Sequence, residues 1–196
     1  MRKASLAVPI IREAIVTTVN AAGKAHLAPF GLIASGTRWV IAPFRPSTTL
    51  DNLLVLPYAV ANFTDDVRLF AGCLTGRRDW PLVSASRIAV PRLAGALAHV
   101  ELAVEELTED PTRPRFACGM VHEEMHAPFG GFNRAKAAVI EACILVSRLH
   151  MLPREKVEHE IAYLSVAVEK TAGAEEAQAW GWLMDEIKAK YSAAGS

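Results

Sequence analysis

The apolar residues of this chain change their period near "PFGGFN" (128–133). Before that point, short β-branched or alternating segments are separated by turn residues. After it, apolar residues recur every three or four positions to the end. The chain therefore reads as α+β, mainly β. A β-barrel-like domain covers residues 1–130 and a helical domain covers residues 131–196, with Gly130 and Gly131 marking the boundary.

The first part opens as a β-meander. "EAIVTTV" (13–19) is β-branched, "NAAGK" (20–24) is a turn, and "AHLAPFGLIA" (25–34) and "RWVIAPF" (38–44) are the next strands. "SGT" between them is a tight-turn signal. "LDNLLVL" (50–56) predicts a short helix stopped by Pro57, and "YAVANFT" (58–64) alternates as a strand. "DDVRLFAGCL" (65–74) predicts a helix with Asp65 or Asp66 at its start. "ALAHVELAVEEL" (96–107) places His99, Glu101, Ala103 and Glu105 on one face, which predicts a half-exposed strand, and "RFACGMVHEE" (115–124) predicts another.

In the second part Asn133 caps a predicted helix over 134–149, and Pro153 sits in the first turn of the next. Val157, Ile161, Leu164 and Val168 form one stripe. Ala177, Trp180, Met184, Ile187 and Tyr191 form a second beyond Gly173, which predicts an αα-hairpin. The last residues, "SAAGS", are expected to be disordered.

Totals narrow the function. The 196 residues are 52% hydrophobic, enough to build a core, and 21 basic residues balance 21 acidic ones, which argues against a general nucleic-acid binder. The three cysteines lie far apart with no CxxC, as in a reduced, intracellular protein. No apolar run approaches the roughly 18 residues that span a bilayer. The start resembles a signal peptide, but Arg12 and Glu13 interrupt it and no cleavage site follows. The expectation is a cytoplasmic protein without membrane or nucleic-acid partners.

Two stretches suit an anion. "PFRPSTTLDNL" (43–53) sets Ser47, Thr48 and Thr49 beside an arginine at a predicted helix start. Free backbone N–H groups, hydroxyls and a guanidinium together suit a phosphate dianion. The same residues also read as a plain capping box, with Thr48 as cap and Asp51 three positions later. "FNRAK" (132–136) puts Arg134 and Lys136 in a first turn, where cations oppose the helix dipole unless something anionic is near.

The runs "EAIVTTVNAAGKAHLAPFG", "APFRPSTTLDNL", "AVANFTDDVRLFA" and "GFNRAKAAVIEACILVSRL" resemble, in order, a flavin-reductase-like FMN-binding split-barrel family long catalogued as a domain of unknown function. That family occurs in methanogenic archaea and methylotrophic bacteria. The resemblance implies a Greek-key split β-barrel of six strands, a C-terminal helical domain, a homodimer and FMN near the dimer interface. It implies that Ser47, Thr48, Thr49 and Asn52 lie near the phosphate, joined by Asn133, Arg134 and Lys136, and that Thr17 and Thr18 lie along the flavin. Without it, Thr17 and Thr18 read as strand formers alone. His26, where the family often has proline, receives no role.

Other motifs compete. "HEEMH" (122–126) fits the H-E-x-x-H zinc pattern, with Glu123 as general base. Gly119 and Pro128 leave little room for the helix that pattern needs, so a polar strand end or loop is preferred and no metal ligand is assigned. The arginine-rich stretch 68–92 faces an anionic substrate or is a solvated loop, with Trp80 as its anchor. GxGxxG, P-loop and GxSxG motifs are absent from the sequence. The function expected is that of an FMN-dependent oxidoreductase of flavin-reductase type, acting on a small molecule that the sequence does not identify, with a pterin suggested only by the family's occurrence in organisms that use methanopterin. The alternatives are a non-enzymatic flavin carrier or sensor, and a zinc hydrolase. No side chain stands out as a catalytic acid or base.

Overall fold

The computed structural model describes residues 9–194, so the basic tip of the signal-like start lies outside the described residues. The chain divides into two compact units. One contains the residues up to Phe63 together with Pro81–Ala127, and the other Thr64–Trp80 together with the residues from Pro128 on.

The first unit is a closed barrel. β1 (Ile11–Val19), β2 (Ala25–Ser35) and β3 (Arg38–Ile41) form the meander. Helix α1 (Thr48–Val55) then leads to β4 (Tyr58–Phe63). Two short strands, β5 (Leu82–Val83) and β6 (Arg92–Leu93), pair with each other, and the long β7 (Ala98–Thr108) and β8 (Arg115–Met125) complete the unit. The order around the barrel is β1-β2-β3-β8-β7-β4, with β4 closing on β1. Because β4 returns beside β1, the order β4-β1-β2-β3 is a Greek key.

Local chemistry explains the turns. Asn20 Oδ1 accepts the N–H groups of Ala22 and Lys24, while Gly23 takes φ 75°. Gly36 takes φ 62° between β2 and β3. Both angles favour glycine.

The barrel interior is filled by Ala14, Val16, Leu32, Ile41, Ala59, Ala61, Val100, Leu102, Phe116 and Cys118, joined by Leu50 and Leu53 of α1. Truncating a buried phenylalanine such as Phe116 to alanine costs about 3–5 kcal/mol. The opposite face of these strands is covered as well. Val19 and Val60 pack against Val90, with Ala85 and Ile88 beside them. Strand β1 is consequently buried on both faces from Ala14 to Val19. The same cover corrects the reading of β7, because His99 and Glu101 are fully buried and the strand becomes exposed only further along.

The second unit is helical: α2 (Arg68–Leu74), α3 (Arg134–Ser147), α4 (Arg154–Thr171) and α5 (Ala174–Ala194). Asp66 stands at the start of α2, as expected, and its carbonyl accepts the N–H of Leu69. The cap position itself is Val67, and Asp66 Oδ1 accepts the N–H of Arg68, the first helical residue. The Trp80 ring passes so close to Gly72 that a Cβ there would lie 2.9 Å from it, and Trp80 Nε1 donates to Arg77 O. The αα-hairpin forms, with Arg154 of α4 stacked over Tyr191 of α5 at 4.9 Å and Leu164, Ala167 and Trp180 in one apolar cluster, but α4 packs mainly on α3, and α5 on α2 and α3. With two neighbours, α5 buries Glu176, Ala179, Leu183 and Ile187, largely one position from the expected stripe. Of the expected disordered tail, residues 192–194 belong to α5 and 195–196 lie outside the described residues. Among the described residues no helix is long and apolar enough to cross a membrane.

Candidate functional site

The hydroxyl cluster does start α1, but the cap is Ser47 rather than Thr48. Ser47 is extended (φ −159°, ψ 149°), its Oγ accepts the N–H of Leu50 at 3.3 Å, and its carbonyl accepts that of Asp51. Asp51 therefore stands one place too late for a capping box. It still lies in the first turn, where its charge complements the dipole. The amides of Thr48 and Thr49 have no acceptor among the described residues. Thr48 is exposed and Thr49 buried. The adjacent arginine is turned away: Arg45 pairs with Glu109 at 2.6 Å and donates to Asp110 O.

Strand β1 brings the two threonines to the same region. Asn52, on α1, donates from Nδ2 to Thr18 Oγ1 at 2.9 Å. Asn62, on β4, donates to Thr17 Oγ1 at 3.0 Å and to Ile15 O, and its Oδ1 accepts the N–H of Leu93. Thr17, Thr18, Asn52 and Asn62 are all buried. The barrel unit thus joins Thr18 to Asn52 directly and leaves Ser47 and Thr48 toward solvent.

In the helical unit Asn133 caps α3 as expected, accepting the N–H groups of Ala135 and Lys136 and donating to Thr171 O. Lys136 Nζ lies 2.7 Å from Asp65 and 3.8 Å from Glu176, so the anion that offsets its unfavourable place in the first turn is the protein's own. Arg134 is exposed. In the arginine-rich stretch, Arg77 stacks over Trp182 at 4.6 Å, and Arg78 and Arg92 donate to the carbonyls of Cys73 and Leu93.

"HEEMH" is not helical. His122 lies in β8 and His126 just beyond it, so four residues of strand hold them roughly 13 Å apart along the chain. Both instead approach His99 of β7, with ring centroids 5.9 and 5.0 Å away. Beside His99, the Glu101 carboxylate accepts three backbone N–H groups, from Ser86, Arg87 and Ile88, at 2.6–2.9 Å. Burial alone raises the pKa of Glu101, but these bonds and that from His99 outweigh it and hold the carboxyl below its ordinary range. The pKa of His126 is lowered by burial, by Arg92 and by His99, against the opposing pull of Glu124. Sequence reasoning missed His99 and Glu101 as members of a cluster. A separate open cleft of about 390 Å³, lined by Arg38, Glu105 and Met120 among others, contains none of the residues named for the cofactor.

Many solved structures resemble this fold, three of them as follows. An FMN-bound protein from Methanosarcina mazei, of family DUF447, is 21% identical with a TM-score of 0.78, covering 90% of this chain and 94% of that one. A flavin-reductase-like protein with a split barrel domain from Shewanella frigidimarina is 11% identical (TM-score 0.54; 64% and 75% covered). An NADH:FAD oxidoreductase from Streptomyces globisporus, solved with NAD and FAD fragments, is 15% identical (TM-score 0.51; 59% and 75% covered). At these identities the likeness establishes the fold, a split barrel followed by helices. No curated protein matches the sequence. Two family models match in succession, the N-terminal domain of the protein of unknown function DUF447 over residues 12–127 and its C-terminal counterpart over residues 133–185, and the chain belongs to that family.

Proposed function

We propose that this protein binds FMN and acts as a flavin-dependent oxidoreductase of flavin-reductase type. The observation that carries the reading is the bond from Asn52 to Thr18, which ties the second turn of α1 to β1 and so positions the helix start that precedes it. The Thr48 and Thr49 amides, which have no acceptor among the described residues, and the Ser47 and Thr48 hydroxyls form a donor set suited to a phosphate dianion. Exposed Phe44, three residues before Ser47, offers apolar surface for a ring. The FMN-bound relative of the same family supports the choice of cofactor.

Bound FMN supplies hydride and electron transfer. The protein's part is to place it, tune it and exclude water. Ser47, Thr48 and the α1 amides are the proposed phosphate contacts. Buried Thr49 and Asn52 hold that turn, and buried Thr17 and Thr18 position the asparagines rather than reach a ligand. Asn133, Arg134 and Lys136 belong to the second unit, and their part in the proposal rests on the family resemblance alone. A homodimer is proposed on the same ground, supported by exposed Leu54, Val55 and Tyr58. The electron acceptor is proposed to be a small, pterin-like molecule from the family's occurrence. Bleaching of the bound flavin by NADH or NADPH tests the oxidoreductase reading, and flavin that binds but stays oxidised with both leaves a carrier or sensor. The zinc-hydrolase alternative is not carried forward, because the helix its motif requires is a strand.

A further inference from the structure

Strands β7 and β8 gather metal-ligating side chains on one face. In their register His99 pairs with Glu124 and Glu101 with His122, and His126 follows two residues after Glu124. The alternation of a strand therefore turns three imidazoles and two carboxylates the same way. His99 is fully buried. Its Nε2 lies 3.3 Å from Glu101 Oε1 and its Nδ1 lies 2.8 Å from His126 Nε2. An ionised carboxylate only accepts, so Glu101 draws the ring proton to Nε2 and leaves the lone pair on Nδ1. Three backbone N–H groups fix Glu101 in turn. A buried carboxylate that orients a histidine whose other nitrogen faces further ligands is the usual outer support of a metal site.

We propose that His99 Nδ1, His126 Nε2 and the Glu124 carboxylate bind a divalent cation of the Zn²⁺ class. Their ligand atoms already lie within 4.8 Å of one another. Two imidazoles and a carboxylate suit that class of ion, with water completing a tetrahedral shell. The N···N contact must open by about half an ångström to admit an ion with Zn–N bonds of roughly 2.0–2.1 Å. Half-buried His126, just past the end of β8, has the freedom to make that adjustment. Of the charged groups that act on His126, Glu124 favours a cation there and Arg92 opposes it. The motif's two histidines thus do not grip the ion together as on a helix; His126 does so with His99.

The test is calorimetric titration of the EDTA-dialysed full chain with Zn²⁺, paired with thermal melts. The expected result is one ion per chain with a Kd of about 1 μM or tighter, and a melting temperature raised by Zn²⁺. His126→Ala and Glu124→Ala lie outside the core and should weaken binding at least tenfold, while His159→Ala on α4 should not. Absence of saturable binding by the native chain, or equal affinity in His126→Ala, overturns the proposal. Imidazole ¹⁵N signals of the unaltered protein give a readout that needs no variant. Zn²⁺ should move those of His99 and His126, and shifts confined to His150 and His159 contradict the site.

Discussion

Asn52 Nδ2 donates to Thr18 Oγ1 across 2.9 Å inside the barrel unit, tying the second turn of α1 to β1. Both residues are buried, so neither finds water as a substitute partner. Replacing Thr18 with valine keeps the shape and leaves the Asn52 donor unpaired, at a cost of about 1–3 kcal/mol. Chemical denaturation should show that loss, and FMN affinity should fall with it because α1 loses its anchor. An unchanged unfolding midpoint contradicts the role.

Ser47 and Thr48 separate capping from binding. Ser47→Ala removes the α1 cap and should cost about 1 kcal/mol of stability. Exposed Thr48 caps nothing, so Thr48→Ala should leave the unfolding midpoint in place while weakening FMN more than riboflavin. Equal losses for both flavins mean that the hydroxyl does not touch the phosphate.

Glu101 holds the segment that covers the outer face of β1, β4 and β7. Glu101→Gln replaces one accepting oxygen by a donor that faces backbone N–H groups, a change expected to cost about 2–4 kcal/mol. Hydrogen exchange should quicken at Ser86, Arg87 and Ile88 before it quickens in the barrel. Uniform acceleration, or none, contradicts this anchoring.

All three cysteines are buried. Burial pushes the Cys73 thiol up to about 11 and the Cys118 thiol up to about 12. A raised pKa keeps each protonated, so at about pH 8 only roughly one Cys73 in a thousand is thiolate. The native chain should resist a disulfide exchange reagent at that pH and react at all three positions once unfolded. Rapid native reaction at Cys73 or Cys118 contradicts the burial described.

What was legible in the sequence was local. Asn20 and Gly23 announce the first hairpin, alternation announces the strands, and Asn133 announces the start of α3. Ser47 and Thr48 are chemically near-equivalent caps, and the choice depends on which one leaves extended backbone. The two-sided burial of His99 and Glu101 depends on residues 85–90 folding back over the strands, which no local pattern reports. The stripe on α5 shifted because the helix packs against two partners. For the candidate site, the hydroxyl cluster was visible but its link from Asn52 to Thr18 is a long-range contact. The His99 cluster had a signal that went unused: "HVE" in one strand and "HEEMH" in the next both place ligating residues every second position.

Saturable binding of FMN tests the central claim most directly. The account predicts that the purified chain carries flavin absorption, or takes up FMN with a Kd of about 1 μM or tighter, and binds riboflavin at least tenfold more weakly. Neither flavin absorption nor saturable binding, or equal affinity for FMN and riboflavin, would contradict a phosphate site at the start of α1.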